Sequence, residues 1–307
     1  MSRIDRREFV RRSLQLTLAA AAAGGVPLLD LLALPAQASG PGPAVAVRKG
    51  KDLAALVRET LDALGGLGIF VKRGDTVVVK PNIGWDRTVE QGANTHPLVV
   101  RAVVEQCLEA GAKSVQVFDR TCNDPRRCYV QSGIQEAVES LRSERVAVEH
   151  MDRRAYRDLD IANGQDLKRW SFYQPALDAD RFINLPVAKH HSISLLTLGM
   201  KNIMGVIGGN RGQLHRSIAD SLTDINSVVH STLTLVDASR ILVANGPQGG
   251  RLEDVRVLDT LIASSDIVAA DAYAATLFGH RPEQIPTIAA AAKRGLGIMD
   301  LARVRMV

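Results

Sequence analysis

The chain has 307 residues, 46% of them hydrophobic and 23% charged, enough to bury a sizeable core and ordinary for a soluble globular protein. Aromatic residues make up only 4%, which argues against stacking platforms for single-stranded nucleic acid. The net charge is +5, but residues 1–38 hold five arginines against three acids, and the +3 left without them is no footprint for a nucleic-acid partner.

Those first residues run MSRIDRREFVRRS, LQLTLAAAAAGGVPLLDLLALP and AQA, which is a basic region, an apolar region and a small-residue cleavage signature at Ala36-Gln37-Ala38. Arg6-Arg7 followed by Glu8-Phe9-Val10 resembles a twin-arginine export signal. Gly24, Gly25 and Pro27 keep the apolar part mild, as that route requires, and Pro27 and Asp30 interrupt it as a permanent membrane anchor. The expectation is recognition by the twin-arginine translocase, cleavage near Ala38 and a periplasmic or exported mature chain without a permanent membrane span. That route carries folded proteins, which hints at loading of a cofactor before export or at fast folding.

Residues 39–50, SGPGPAVAVRKG, read as a linker rich in small residues and proline, and 51–307 as a single α/β domain. A helix is predicted over 51–64 from Leu53, Val57, Leu61 and Leu64, and GDTVVVKPN reads as a strand ending at Lys80 with Asn82 beyond it. After a polar loop, Pro97 at the first helical position opens PLVVRAVVEQCLEAG, closed by Gly111. AKSVQVFDR, RVAVEH, DRFINLPVA and STLTLVDAS read as further strands. Helices are expected in GIQEAVESLRSE, from Ser192 through Val206, near 213–229, within DIVAADAYAATLFG after a short strand, and in the carboxyl-terminal tail. Continuous apolar strands alternating with helices predict a mainly parallel sheet with helices on both faces.

In such a sheet ligands bind beyond the carboxyl ends of the strands. Five predicted strands end there in ionisable residues: Lys80, Asp119, His150, the run Lys189-His190-His191, and Asp237. The set predicts a polar cleft along one sheet edge. Asn94 or Thr95 is the expected cap of the helix at Pro97, which leaves His96 either idle or facing the cleft as an acid/base group or metal ligand. Neighbouring strand residues point to opposite faces, so at most one of His190 and His191 enters the cleft beside Lys189. Lys201 and Asn202 interrupt an apolar run, as groups snorkelling to solvent or aimed at a ligand. The glycines of GVIGGNRGQLHR, before His215, could aim backbone amides at an anion with Arg211 or Arg216 assisting.

Several chemistries lack their signatures. The phosphate-loop lysine and hydroxyl residue are missing, the glycine spacing does not fit the dinucleotide fingerprint, and no GxSxG elbow is present. The three cysteines lack iron–sulfur spacing. Cys107 falls in an apolar pattern, and an oxidising compartment would permit a Cys122–Cys128 disulfide. His96, Asp119, His190, His191 and His215 are candidate metal ligands, but no helical spacing places two on one face.

The pieces VVVKPNIG (77–84), NTHPLVVRAVVEQCLEAGAKSVQVFD (94–119), INLPVAKHHSISLLTLGMKNIMGVIG (183–208), LHRSIADSLTDIN (214–226) and LTLVDASRILVANGPQGG, followed by DIVAADAYAATLFG, together resemble the prokaryotic family called domain of unknown function 362. The resemblance implies an α/β domain with motif positions at Lys80, Asn82, His96, Lys189, His191, Lys201, Asn202 and His215. This chain departs from that pattern twice. The usual lysine–threonine–histidine is Lys189-His190-His191, which favours His191 over His190, and the ferredoxin-like cysteine-rich segment of many relatives is missing. The combined expectation is an anionic ligand or cofactor bound by Lys80, Lys189, Lys201, Asn82, Asn202, Asp119 and His215, with His191, His96 and Lys189 as catalytic groups if the protein is a cofactor-dependent oxidoreductase. The alternative readings are a non-catalytic periplasmic metal- or small-anion-binding protein and an accessory subunit of a redox complex.

Overall fold

A computed structural model describes residues 42–307, so the export signal read over 1–38 and the start of the linker lie outside the described residues. Apolar runs of β-branched residues build the centre of one large sheet. β2 (Thr76–Pro81) lies between β3 (Ser114–Val117) and β7 (Arg181–Leu185), parallel to both, with Val79 opposite Val117 and Ile183. β4 (Val146–Val148) continues the parallel set beyond β3. On the other side β10 (Leu233–Leu242) runs parallel to β7 and to β8 (Val187–His191). The sheet then turns antiparallel through β11 (Val255–Ser264) and β1 (Ala44–Lys49), and β12 (Arg305–Met306) lies along β1 in parallel. The order is β12-β1-β11-β10-β7-β2-β3-β4. The fold is α/β with a mainly parallel sheet.

The two-residue period of β2 divides the core. Val77 and Val79 face a cluster built with α1 (Leu53–Asp62), α2 (Pro97–Glu109) and α4 (Ile134–Glu139), which follows α3 (Pro125–Gln131). Val78 faces the opposite cluster, formed with α6 (Gly199–Asn202), α7 (Ile218–Asn226), α8 (Ile267–Thr276) and α9 (Pro286–Lys293), which come after the single turn α5 (Gln174–Asp178). Each such fully buried valine, leucine or isoleucine contributes about 1.5–3 kcal/mol. Among the described residues no helix is long and apolar enough to cross a membrane.

Several readings are corrected. Residues 44–49 are strand β1 and not linker, because Val45 and Ala46 are fully buried between β11 and β12. No continuous helix runs from Ser192 to Val206. The chain turns back after β8 into the antiparallel strand β9 (Leu195–Thr197), then forms the single turn α6 and a 3-10 turn, Ile203–Val206. The ring of His191 accepts the amides of Ile193 and Ser194 and holds the reversal that helical spacing of Leu195 and Leu198 concealed. The helix placed near 213–229 is the 3-10 segment Arg211–Ser217 followed by α7. DIVAADAYAATLFG holds no strand: Asp266 caps α8 through the Ala269 amide, and the preceding strand is β11, whose charged outer half masked it. Between β4 and β7, where no element was expected, the chain forms the hairpin β5 (Tyr156–Asp160) and β6 (Arg169–Tyr173). Cys122 and Cys128 are unpaired thiols.

Candidate functional site

The carboxyl ends of β2, β3 and β8 converge, with α6 and the 3-10 segments after it, on a cavity of about 490 Å³. Lys80 and Asp119 form its floor as a buried ion pair at 2.8 Å. The contact is electrostatic and not a well-aligned hydrogen bond to that carboxylate oxygen. The other oxygen accepts the Ile83 amide at 2.7 Å. Burial pushes the Lys80 ammonium below its usual range, and Asp119 opposes that shift.

Three buried or half-buried amides join the lysines. Lys189 Nζ donates to Asn82 Oδ1 (2.9 Å) and to the Ala93 carbonyl (2.5 Å). Asn82 Nδ2 donates to Asn202 Oδ1 (3.2 Å), which also accepts from Lys80 Nζ (2.8 Å). Asn202 Nδ2 passes the chain to Asn184 Oδ1 (2.8 Å), and Asn184 Nδ2 ends it on the Gly199 carbonyl (3.0 Å). A lysine only donates, so each lysine fixes the oxygen of the amide it meets and thereby the orientation of the whole relay. Beneath it, the buried Asp271 of α8 accepts the Gly199 and Met200 amides, anchoring the turn that carries Lys201 and Asn202; burial pushes this carboxyl up to about 7.

A second group stands across the cavity. The rings of His191 and His215 stack at 5.4 Å, and Lys201 Nζ lies 3.3 Å from His215 Nε2. His191 Nδ1 accepts two backbone amides, so its proton resides on Nε2. His215 Nδ1 faces the Gly212 carbonyl at 3.1 Å and must donate there, which leaves the Nε2 lone pair to Lys201. Burial, then the charge of Lys201, holds His191 down to about 3, and the same two causes lower His215. Burial brings Lys189 to about 7 and Lys201 to about 8. Replacing His191 by alanine strands the Ile193 and Ser194 amides and is expected to lower stability by about 1–3 kcal/mol in urea unfolding. An unchanged midpoint would contradict the anchoring role.

The structure thus brings together Lys80, Asn82, Asp119, Lys189, His191, Lys201, Asn202 and His215. Lys189 and His191 share one face of β8, while His190 points away and accepts the Gly246 amide through Nδ1. His96 is not among the cavity's lining residues. It is the cap of α2, its Nδ1 accepting the Leu98 amide and its own amide bonded to Asp237. Asn94 and Thr95, the expected caps, instead tie down the preceding loop. Asp237 lies mid-strand and His150 lines a neighbouring cavity. The glycine turn is no free nest: Gly208 and Gly212 donate their amides within the chain, and Arg211 donates to the carbonyls of Arg120, Thr121 and Met204. Among the described residues no cluster of three or more His, Cys, Asp or Glu is placed to hold a metal ion.

Sequence reasoning missed Asn184, Thr197 and Cys122, and read Gly205 only as part of a glycine turn. Asn184 carried a signal, a lone amide inside the apolar strand FINLP. Thr197 carried none, because its strand was read as helix. Gly205 approaches so closely that a methyl group there would overlap Asp119 Oδ1 and Lys80 Nζ.

Fold and site together define an α/β protein with a lysine-rich cavity at the carboxyl edge of its parallel strands. The family model described as Domain of unknown function (DUF362) matches residues 77–276, and the chain belongs to that family. It is 31% identical over 252 residues to a thylakoid-associated protein of Synechocystis sp., an overlap covering 80% of this chain and 75% of the relative. Among solved structures, a Thermotoga maritima protein shares 14% identity with a TM-score of 0.43, over 76% of this chain and 61% of its own. The lactate racemase apoprotein of Thermoanaerobacterium thermosaccharolyticum shares 11% identity with a TM-score of 0.47, over 80% and 58% respectively. The chain therefore spans about three fifths of the length of these two solved proteins.

Proposed function

We propose that the protein is exported and that its cavity binds a small anionic ligand or an anionic cofactor, on which it carries out proton-transfer or redox chemistry. One observation carries the binding: Lys80, Arg120, Lys189, Lys201 and Arg211 line the cavity, and Asp119 is the only carboxylate among the lining residues. Asp119 is committed to Lys80, so the buried Lys189 and the half-buried Lys201 have no counter-ion among the described residues. An unpaired buried cation is costly, and a ligand carboxylate or phosphate would relieve that cost. The stacked histidines, each with its tautomer fixed, and Lys201 beside them favour chemistry over mere storage. The twin-arginine-like residues 1–38 support export.

The binding reading predicts a pH dependence. An anion favours the charged ammonium, so affinity falls as pH rises through about 7 and about 8, where Lys189 and Lys201 lose their protons, and binding near pH 8 takes up protons. Calorimetry in buffers of differing ionisation enthalpy reads the uptake. Lys189→Ala should weaken binding at least tenfold, about 1.4 kcal/mol. Native mass spectrometry of protein recovered from the periplasm tests whether a ligand is retained. Affinity that is flat from pH 6 to 9 and indifferent to Lys189→Ala would rule the site out.

A further inference from the structure

We infer that Lys189 is an amine nucleophile, forming an imine with a small carboxylate ligand that bears a ketone or aldehyde carbonyl. This deepens, and rests on, the anion-binding reading of the same cavity. The three lysines are not equivalent. Lys80 is held by Asp119 and Asn202, an arrangement that keeps it charged. Lys201 faces the lone pair of His215 Nε2, an arrangement suited to passing a proton. Lys189 has two acceptors, Asn82 Oδ1 and the Ala93 carbonyl, and no carboxylate among the described residues. A neutral amine carries two N–H bonds and one lone pair. Two acceptors satisfy both N–H bonds and leave the lone pair free.

The group opposite Lys189 strengthens the assignment. Thr197 is its direct partner across the antiparallel β8–β9 pair, so the two side chains leave the sheet on one face about 5 Å apart at Cβ. Thr197 is 5% exposed and lines the cavity, and its buried hydroxyl finds no partner among the described residues. A buried hydroxyl left unbonded beside a nucleophile is placed to donate to a ligand oxygen. The amine's depressed proton affinity, which burial brings to about 7, leaves much of it neutral near neutral pH.

The step balances without an oxidant. The Lys189 lone pair attacks the carbonyl carbon, a C–N bond forms, and the carbonyl π pair moves to oxygen. One amine hydrogen and one proton supplied through Lys201 leave with that oxygen as water. The iminium keeps the remaining N–H for Asn82 Oδ1, and its positive charge lies beside the ligand carboxylate.

The test uses the intact protein with glyoxylate and sodium cyanoborohydride, which reduces an imine to a stable carboxymethyl amine located by peptide mass mapping. Wild-type protein should be labelled at Lys189 at least tenfold faster than at the exposed Lys113, with a rate that climbs as pH rises through about 7. Lys189→Arg should abolish that site of labelling, and Lys113→Arg should leave it unchanged. Mapping on the wild type does not depend on either variant folding. Labelling of Lys189 no faster than Lys113, or preferential labelling of Lys201, overturns the inference. Oxalate has the carboxylate but no reactive carbonyl, and its thermal stabilisation of the protein reads the anion site separately. Stabilisation by oxalate without preferential labelling overturns the imine alone. Neither stabilisation nor labelling overturns the anion site as well.

Discussion

Replacing Asp119 by alanine is expected to lower the unfolding free energy by about 3–5 kcal/mol, the cost of breaking a buried pair from one side. The Lys80 and Asp119 side chains are 0% and 2% exposed, so nothing screens the charge that the substitution strands. Asn202 remains as a neutral acceptor for Lys80, and the Ile83 amide loses the carboxylate oxygen it donates to. The loss should appear as a shifted urea midpoint with an unchanged slope, since little surface exposure changes. A double substitution, Lys80→Met with Asp119→Leu, removes both charges and should recover much of the stability while abolishing anion binding. Formate or acetate should partly restore the single variant by placing a carboxylate where Asp119 stood. A loss under about 1 kcal/mol would mean that water or relaxation already compensates Lys80, and the cavity floor would not be the rigid pair described.

The sequence was most informative where one local rule acted alone. β2 and α2 carried continuous apolar runs ending in Lys80 and Gly111, and both elements formed close to the bounds expected. The two-residue period of a strand limited the cleft to one of His190 and His191, and the family pattern favoured His191, the one that shares the face of Lys189. What the residues concealed came from tertiary demands. Leu195 and Leu198 fitted a helix, but the His191 ring turned the chain within three residues and created β9, and with it the position of Thr197. Spacing cannot reveal that His96 caps α2 and does not line the cavity, because the choice among Asn94, Thr95 and His96 depends on the loop that Asn94 and Thr95 hold. Strand β1 hid among prolines and alanines because its pairing partners lie more than two hundred residues away. The convergence of Lys80, Lys189 and Lys201 was legible as a list of strand ends. The amide relay that orients them was not, since it depends on the buried Asn184 of β7 and on register between strands far apart in sequence.

Gly205→Ala should be the most damaging single methyl added near the cavity. Gly205 has no positive φ, so its role is not conformational freedom. Its α-carbon instead presses against the ion pair, and an added Cβ would overlap Asp119 Oδ1 and the Cε and Nζ of Lys80. Neither partner can withdraw: Asp119 is tied to the Ile83 amide, Lys80 to Asn202, and the Gly205 carbonyl accepts the Arg120 amide at 2.9 Å. Overpacking of this kind typically costs about 1–3 kcal/mol, and separation of the pair adds to it. The expected result is a loss of at least about 2 kcal/mol in urea unfolding, with anion affinity reduced because Lys80 and Asn202 move together. Gly68→Ala is the matched control. It lies exposed in a 3-10 turn with no atom within 4 Å of an added Cβ, and should change stability by no more than about 0.5 kcal/mol. If Gly205→Ala behaves like Gly68→Ala in both stability and anion binding, the cavity floor has room that this geometry denies it, and the tight coupling of Lys80, Asp119 and Asn202 fails with it.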